Sequence, residues 1–229
     1  MKITEIETYL VYAATTKTSS NPRGRAWLFV QIDTDEGISG VGEGGGWSFI
    51  TEKALQELKP FLIGEDPFDT ERLWYRLSSA QVGWGHYPTG ALQGGILAAV
   101  DIALWDIKGK ALGKPVYALL GGKFRERIQV YGHASTPEEA QRLVERGYKA
   151  FKCGADVDVI KRLRDAVGYD VRIGLHAHCN LTPSEAIQVG KRCERYEPMF
   201  FEEPVPYENV DDLAKVAEAV GIPIAAGER

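Results

Sequence analysis

Apolar and polar residues alternate along the first forty positions in a pattern that predicts strands. The predicted strands cover residues 3–12, 26–34 and 38–42, and the turn Asp35-Glu36-Gly37 joins the last two as a hairpin. Apolar residues then recur every three or four positions, and this spacing predicts helices over residues 51–58, 68–77 and about 90–112. Strands first and helices afterwards are typical of a small α+β domain.

From residue 128 onward the pattern changes to short apolar runs that alternate with helices, which predicts a parallel sheet with helical crossovers. Thr136 and Thr182 each precede a proline and, three positions on, a glutamate, so both are predicted helix caps. Five strands are predicted, over residues 128–131, 150–151, 171–175, 199–201 and 222–225. We therefore expect an α+β domain over residues 1–125 and strands 1–5 of a β/α barrel over residues 126–229.

The number of strands is too small for a closed barrel. A β/α barrel closes with eight strands, so five leave two open sheet edges. Three interpretations stay open: a fragment of a longer polypeptide, strands supplied by another chain, or an unusual open sheet. The first is favoured.

Composition narrows the function classes. The 229 residues are 44% hydrophobic and 26% charged, with a formal net charge of −5, as in ordinary globular proteins. Because the charge is spread along the chain, neither nucleic acid nor a membrane surface is an expected partner. The chain has no apolar run of membrane-spanning length and no secretion signal, which predicts a cytoplasmic location. Cys153, Cys179 and Cys193 form no CxxC pair, and reduced thiols are expected.

Polar side chains follow each predicted barrel strand, where β/α barrels carry their working residues. These residues are His133, Lys152, His176 with His178, Glu202 with Glu203, and Glu228. His176, Glu202 and Glu228 follow one another at equal steps of one β/α unit. Two carboxylates and an imidazole converging there need a compensating cation, so the pattern predicts a divalent metal site. The alternative is that the acids cap helices or pair with buried arginines, and that the histidines are packed or solvent-facing.

Five stretches of the sequence are similar to those of a known protein family: residues 98–110, 119–122, 201–204, 222–223 and 227–228. Together they resemble the enolase superfamily, specifically the mandelate racemase/muconate lactonizing enzyme subgroup and its acid-sugar dehydratases of the galactonate type. The resemblance implies an α+β capping domain over a modified (β/α)7β barrel, of which about five strands lie in this chain. It also implies homo-oligomers, Mg²⁺ bound after strands three to five, and loss of water from an aldonate or aldarate through an enediolate intermediate.

The resemblance assigns the metal ligands. Glu202 and Glu228 match the second and third ligand positions in residue type and spacing. His176 falls on the first position, where the family usually has aspartate. Because imidazole is neutral and softer than carboxylate, Mn²⁺ or another divalent ion is expected to suit this site better than Mg²⁺.

The resemblance also implies the catalytic residues. His178 matches a histidine that protonates the departing hydroxyl group. The segment Lys152-Cys153-Gly154 keeps only the first lysine of the family's motif of lysine, any residue, lysine. The loss of the second lysine favours a dehydratase over a racemase. Lys152 is then expected to pair with the substrate carboxylate. The general base is expected beyond Arg229, and loops 13–25 and 44–50 suit a polyol.

Two alternative functions stay open. One is a racemase, epimerase or cycloisomerase of the same superfamily. The other is a non-catalytic barrel relative in which His176 marks a degraded metal site.

Overall fold

The computed structural model describes residues 1–13, 24–80 and 91–228, without the side chains of residues 79–80 and 91–93. The chain divides into two units, Met1–Glu126 and Arg127–Arg229. Among the described residues, no helix is both long enough and apolar enough to cross a bilayer.

The first unit is a three-stranded antiparallel sheet covered by helices, which confirms the predicted α+β fold. The strands β1 (Ile3–Ala13), β2 (Arg25–Thr34) and β3 (Ser39–Gly44) pair in that order. The helices are α1 (Ser48–Leu58), α2 (Thr70–Ala80), α3 (Ala91–Leu112) and α4 (Val116–Leu119), with a 3-10 turn at Lys59–Phe61. Alternate residues of β2, including Leu28, Val30 and Ile32, are fully buried in one core with Ile96, Leu104 and Ile107 of α3. The predicted start of α3 near Gly90 and most of loop 13–25 lie outside the described residues.

Helix α3 lies directly against the backbone of β3. A Cβ atom added to Gly42 would lie 1.9 Å from the carbonyl oxygen of Ala99, and one added to Gly40 would lie 2.0 Å from that of Ala103. No side chain fits at these distances, so the two glycines allow the helix and the sheet to approach.

Gly42→Ala is therefore expected to destabilise the protein by about 1–3 kcal/mol, because the helix must move away from the sheet. The matched control is Gly94→Ala in α3, where an added Cβ has nothing within 4 Å and where alanine favours a helix by up to ~1 kcal/mol. Urea unfolding should give the two substitutions opposite signs. Equal effects would contradict the packing of α3 on β3.

The second unit is a five-stranded parallel sheet with strands in chain order, as predicted for the first part of a β/α barrel. The strands are β4 (Gly132–His133), β5 (Ala150–Gly154), β6 (Arg172–His176), β7 (Phe201–Glu202) and β8 (Ile224–Ala225). The helices are α5 (Pro137–Glu145), α6 (Val157–Val167), α7 (Pro183–Cys193) and α8 (Val210–Ala219), with a 3-10 turn at Glu194–Tyr196. Phe151, Ile173 and Phe201 of the strands are buried with Ile160 and Val216 of the helices.

Capping side chains start the helices of this unit. Thr136 and Thr182 each form the predicted capping box, with Glu139 and Glu185 respectively. The side chains of Asp156 and Asn209 cap α6 and α8 by accepting hydrogen bonds from backbone N–H groups of the first turn. Each satisfied cap stabilises a helix by about 1 kcal/mol and so sets where the preceding loop ends.

The first barrel strand was predicted at residues 128–131, and this position is wrong. Pairing with β5 occurs at Gly132 and His133 instead, while Ile128 and Val130 are largely exposed. Gly132 lies against the side chain of Leu143 in α5, where a Cβ atom would be 2.7 Å away. The paired residues are thus a glycine and a histidine, which carry no apolar signal in the sequence.

Candidate active site

The strand register brings four polar side chains to one face of the sheet. His133 pairs with Lys152 across β4 and β5, and His176 pairs with Glu202 across β6 and β7. Gly154, two residues after Lys152, pairs with His176. Because side chains alternate along a strand and neighbours in register share a face, His133, Lys152, His176 and Glu202 all lie on the same side at or near the carboxyl ends of their strands.

Lys152 and Glu202 form an ion pair at this face. The Lys152 Nζ atom lies 2.7 Å and 2.9 Å from the two carboxylate oxygens of Glu202. Their side chains are only 19% and 11% exposed. A pair this well buried is held by mutual neutralisation, since either charge alone would be costly away from water.

His176 lies between two other histidines. Its Nε2 atom is 3.0 Å from Nε2 of His133, and its ring centroid is 4.4 Å from that of His178. Burial lowers the pKa of His176 below its ordinary value, the neighbouring His178, Lys152 and His133 lower it further, and Glu202 acts in the opposite direction. The neutral imidazole is thereby favoured, and this is the form that binds metal ions.

The residues that follow β6 and β7 have an unusual backbone. His178, Cys179 and Glu203 have φ angles of +49°, +60° and +44°, in the left-handed region that non-glycine residues seldom adopt. The N–H of Cys179 donates to the carbonyl oxygen of Glu203 over 2.8 Å, which holds the two strand ends together. Such backbone strain is concentrated at functional sites.

Glu203 connects two segments at the end of the sheet, whereas the sequence predicted only that it follows a strand. Its side chain is almost fully buried. Its Oε1 atom accepts the backbone N–H of Glu228 over 2.9 Å, and its Oε2 atom lies 3.6 Å from the sulfur of Cys179. Glu203 therefore fixes the backbone that carries Glu228.

The three predicted metal ligands are only partly brought together. Among the described residues, no three His, Cys, Asp or Glu side chains form a ready-made metal site. Glu202 is bound to Lys152, and the Glu228 carboxylate is half exposed, 3.7 Å from Nε2 of His178. His176 and Glu202 are nevertheless neighbours in register, and Nδ1 of His176 is buried without a hydrogen-bond partner. A divalent ion fits these two donors in chemical type, and they lie on one face of the sheet.

Two family models match most of the chain. Residues 5–121 match the model for the mandelate racemase/muconate lactonizing enzyme N-terminal domain. Residues 135–229 match the model described as enolase C-terminal domain-like. The first of these alone spans about half of the chain.

Similar proteins are known by sequence and by structure. The whole chain is 37% identical to a D-galactonate dehydratase of Verminephrobacter eiseniae, of which it spans 62% of the length. It superposes with a TM-score of 0.89 and 31% identity on the 3,6-anhydro-D-galactonate cycloisomerase of Zobellia galactanivorans, covering all of this chain and 66% of that one. An enolase-superfamily member of Salmonella Typhimurium gives a TM-score of 0.87 at 32% identity, covering all of this chain and 68% of that one.

Proposed function

The chain belongs to the mandelate racemase/muconate lactonizing enzyme family of the enolase superfamily, and we propose that it acts as a metal-dependent dehydratase of sugar acids. One observation carries the proposal: the register places Lys152, His176 and Glu202 on one face near the carboxyl ends of neighbouring strands. The D-galactonate dehydratase relative supports an aldonate as the substrate class.

We assign the metal site to His176, Glu202 and Glu228. A bound divalent ion would supply positive charge that stabilises the negative charge developing on the substrate carboxylate. Two carboxylates and one neutral imidazole give the site one negative charge fewer than three acids would. Imidazole suits Mn²⁺, Fe²⁺ or Zn²⁺ better than Mg²⁺, so both Mg²⁺ and Mn²⁺ belong in any test.

Lys152 and His178 have separate roles in this proposal. The ammonium group of Lys152 binds the substrate carboxylate. A base takes the proton from the carbon next to that carboxylate, which gives the enediolate, and the neighbouring carbon then loses its hydroxyl group with a proton donated by His178. Water leaves, a carbon–carbon double bond forms, and the resulting enol becomes a 2-keto acid.

An isomerase is the second candidate function. The superposition on a cycloisomerase favours it, because a protein of this fold catalyses an isomerisation. The product separates them, since elimination yields a 2-keto acid and water, whereas isomerisation conserves the substrate's atoms.

The test is a panel of aldonates and aldarates incubated with the purified protein and either Mg²⁺ or Mn²⁺, with 2-keto acids trapped by semicarbazide. We expect one acid to give a trapped product that disappears when a chelator is added. Isomerised substrate without a 2-keto acid would support the isomerase. The proposal would be withdrawn if the protein bound no divalent ion at about millimolar concentration and the His176→Asp variant did bind one. That result would identify a non-catalytic relative with a degraded metal site.

A further inference from the structure

We propose that His133 is a positioning residue for the metal ligand His176. It accepts a hydrogen bond from the Nε2–H of His176 and so leaves the Nδ1 lone pair of His176 for the metal ion. This inference rests on the metal site proposed above and adds to it a residue of the first barrel strand.

The contact between the two rings requires a fixed proton. The two Nε2 atoms are 3.0 Å apart, which is a hydrogen-bond distance. In a neutral imidazole one nitrogen carries a proton and the other a lone pair. Either His133 donates to His176, or His176 donates to His133. The direction determines whether Nδ1 of His176 carries a proton or a lone pair.

The buried Nδ1 atom distinguishes these two arrangements. Among the described residues this atom has no hydrogen-bond partner. If His133 donated, Nδ1 would carry a buried N–H that no cation could satisfy. If His176 donates, Nδ1 presents a lone pair that a divalent ion can bind. While the contact with His133 is kept, only the second arrangement leaves His176 a lone pair for a metal ion.

The bonding within the side chain favours Nδ1 as the ligand atom. Nδ1 is attached to Cγ, as a carboxylate oxygen of aspartate is. His176 can therefore present a donor at the same number of bonds from the backbone as the aspartate usual at this position in the family. Ligation through Nε2 would move the ion outward by the width of the ring and would break the contact with His133.

His133 is well placed for this role. It is the last residue of β4, and its backbone position is set by pairing with Lys152 of β5. Its side chain is exposed, so water can satisfy its own Nδ1–H while Nε2 accepts. Metal-binding histidines generally donate their second N–H to a partner that fixes the tautomer. Here that partner is a neutral imidazole, which adds no charge to the site.

The first test is the proton position in the metal-free protein. Long-range ¹H–¹⁵N NMR at about pH 8, where imidazoles are neutral, distinguishes a protonated ring nitrogen from an unprotonated one, and the chain has only four histidines to assign. We expect His176 to be protonated at Nε2. A proton on Nδ1 would overturn the inference.

The second test is metal affinity, measured by calorimetry with Mn²⁺. His133→Leu removes the acceptor and is expected to weaken binding by about 10–100-fold, the usual effect of losing such a partner. His133→Gln keeps an acceptor at a similar reach and should restore most of the affinity. In a His176→Asp background no tautomer needs fixing, so His133→Leu should leave the affinity unchanged.

The outcomes separate this inference from the proposed function. Wild-type protein that binds Mn²⁺, with His133→Leu binding it equally well, would overturn the role of His133 and leave the proposed function intact. Wild-type protein that binds no divalent ion would overturn both. Circular dichroism of each variant confirms that it is folded before its affinity is compared.

Discussion

If the chain is the proposed dehydratase with His178 as its acid, replacing His178 with asparagine is expected to lower the rate of sugar-acid dehydration by about 10²–10⁴-fold, the usual contribution of a positioned proton donor. Asparagine cannot protonate a leaving hydroxyl group. It does tolerate the left-handed backbone that this position requires, with φ at +49°, as histidine does. The substitution therefore removes the acid without adding backbone strain, and Mn²⁺ affinity should be unchanged.

Exchange of the substrate's α-proton with deuterated solvent distinguishes an acid from a structural residue. A His178→Asn protein should still exchange this proton, because in the proposed mechanism the base and the metal act before the hydroxyl group leaves. Loss of exchange and elimination together, with weaker Mn²⁺ binding, would instead mean that His178 supports the metal site. Full dehydration activity would remove His178 from the mechanism.

The fold could be predicted where the sequence carries local signals. The boxes at Thr136 and Thr182 depend on residues three positions apart, and both were found. The first barrel strand was misplaced because its paired residues, Gly132 and His133, are held by register and by Leu143 rather than by apolar alternation. Apolar residues at 128 and 130 gave a stronger pattern but remain exposed.

The candidate site could be predicted only as a set of strand-end positions. Equal spacing predicts His176, Glu202 and Glu228 at similar depth in a parallel sheet, and the register pairs the first two. The partners of each side chain depend on distances that spacing does not encode. The sequence therefore did not predict three contacts of the site. They are the ion pair of Lys152 with Glu202, the contact between His133 and His176, and the hydrogen bond from the Glu228 backbone N–H to Glu203.

The burial of Arg164, away from the site, could not be predicted from the sequence either. It is 5% exposed, and burial lowers the pKa of its guanidinium group. Its donors reach the backbone carbonyl oxygens of four residues, which are Gly168, Val171, Tyr196 and Glu197. Since these partners are main-chain atoms, no residue type elsewhere in the sequence marks Arg164 as buried.

Removing one member of the Lys152–Glu202 pair is expected to destabilise the protein by about 3–5 kcal/mol, because the remaining charge is left buried without a partner. Lys152→Met and Glu202→Gln should each show this loss in urea unfolding. The double variant should lose less than the sum of the two, since it leaves no unpaired charge. The matched control is Lys161→Met, which breaks an exposed pair with Asp165 and should cost about 0–1 kcal/mol.

Divalent metal should reverse the effect of one variant and not the other. In the metal-free protein Lys152 neutralises Glu202, so a metal ion that binds Glu202 competes with the ammonium group for the same carboxylate oxygens. In Lys152→Met that competition is gone, and added Mn²⁺ should raise the free energy of unfolding more than it does in the wild type. In Glu202→Gln the proposed ligand itself is gone, and Mn²⁺ should stabilise little. Equal stabilisation of both variants by Mn²⁺ would mean that Glu202 is not a metal ligand. A Lys152→Met protein no less stable than Lys161→Met would mean that the Lys152–Glu202 pair does not stabilise the fold.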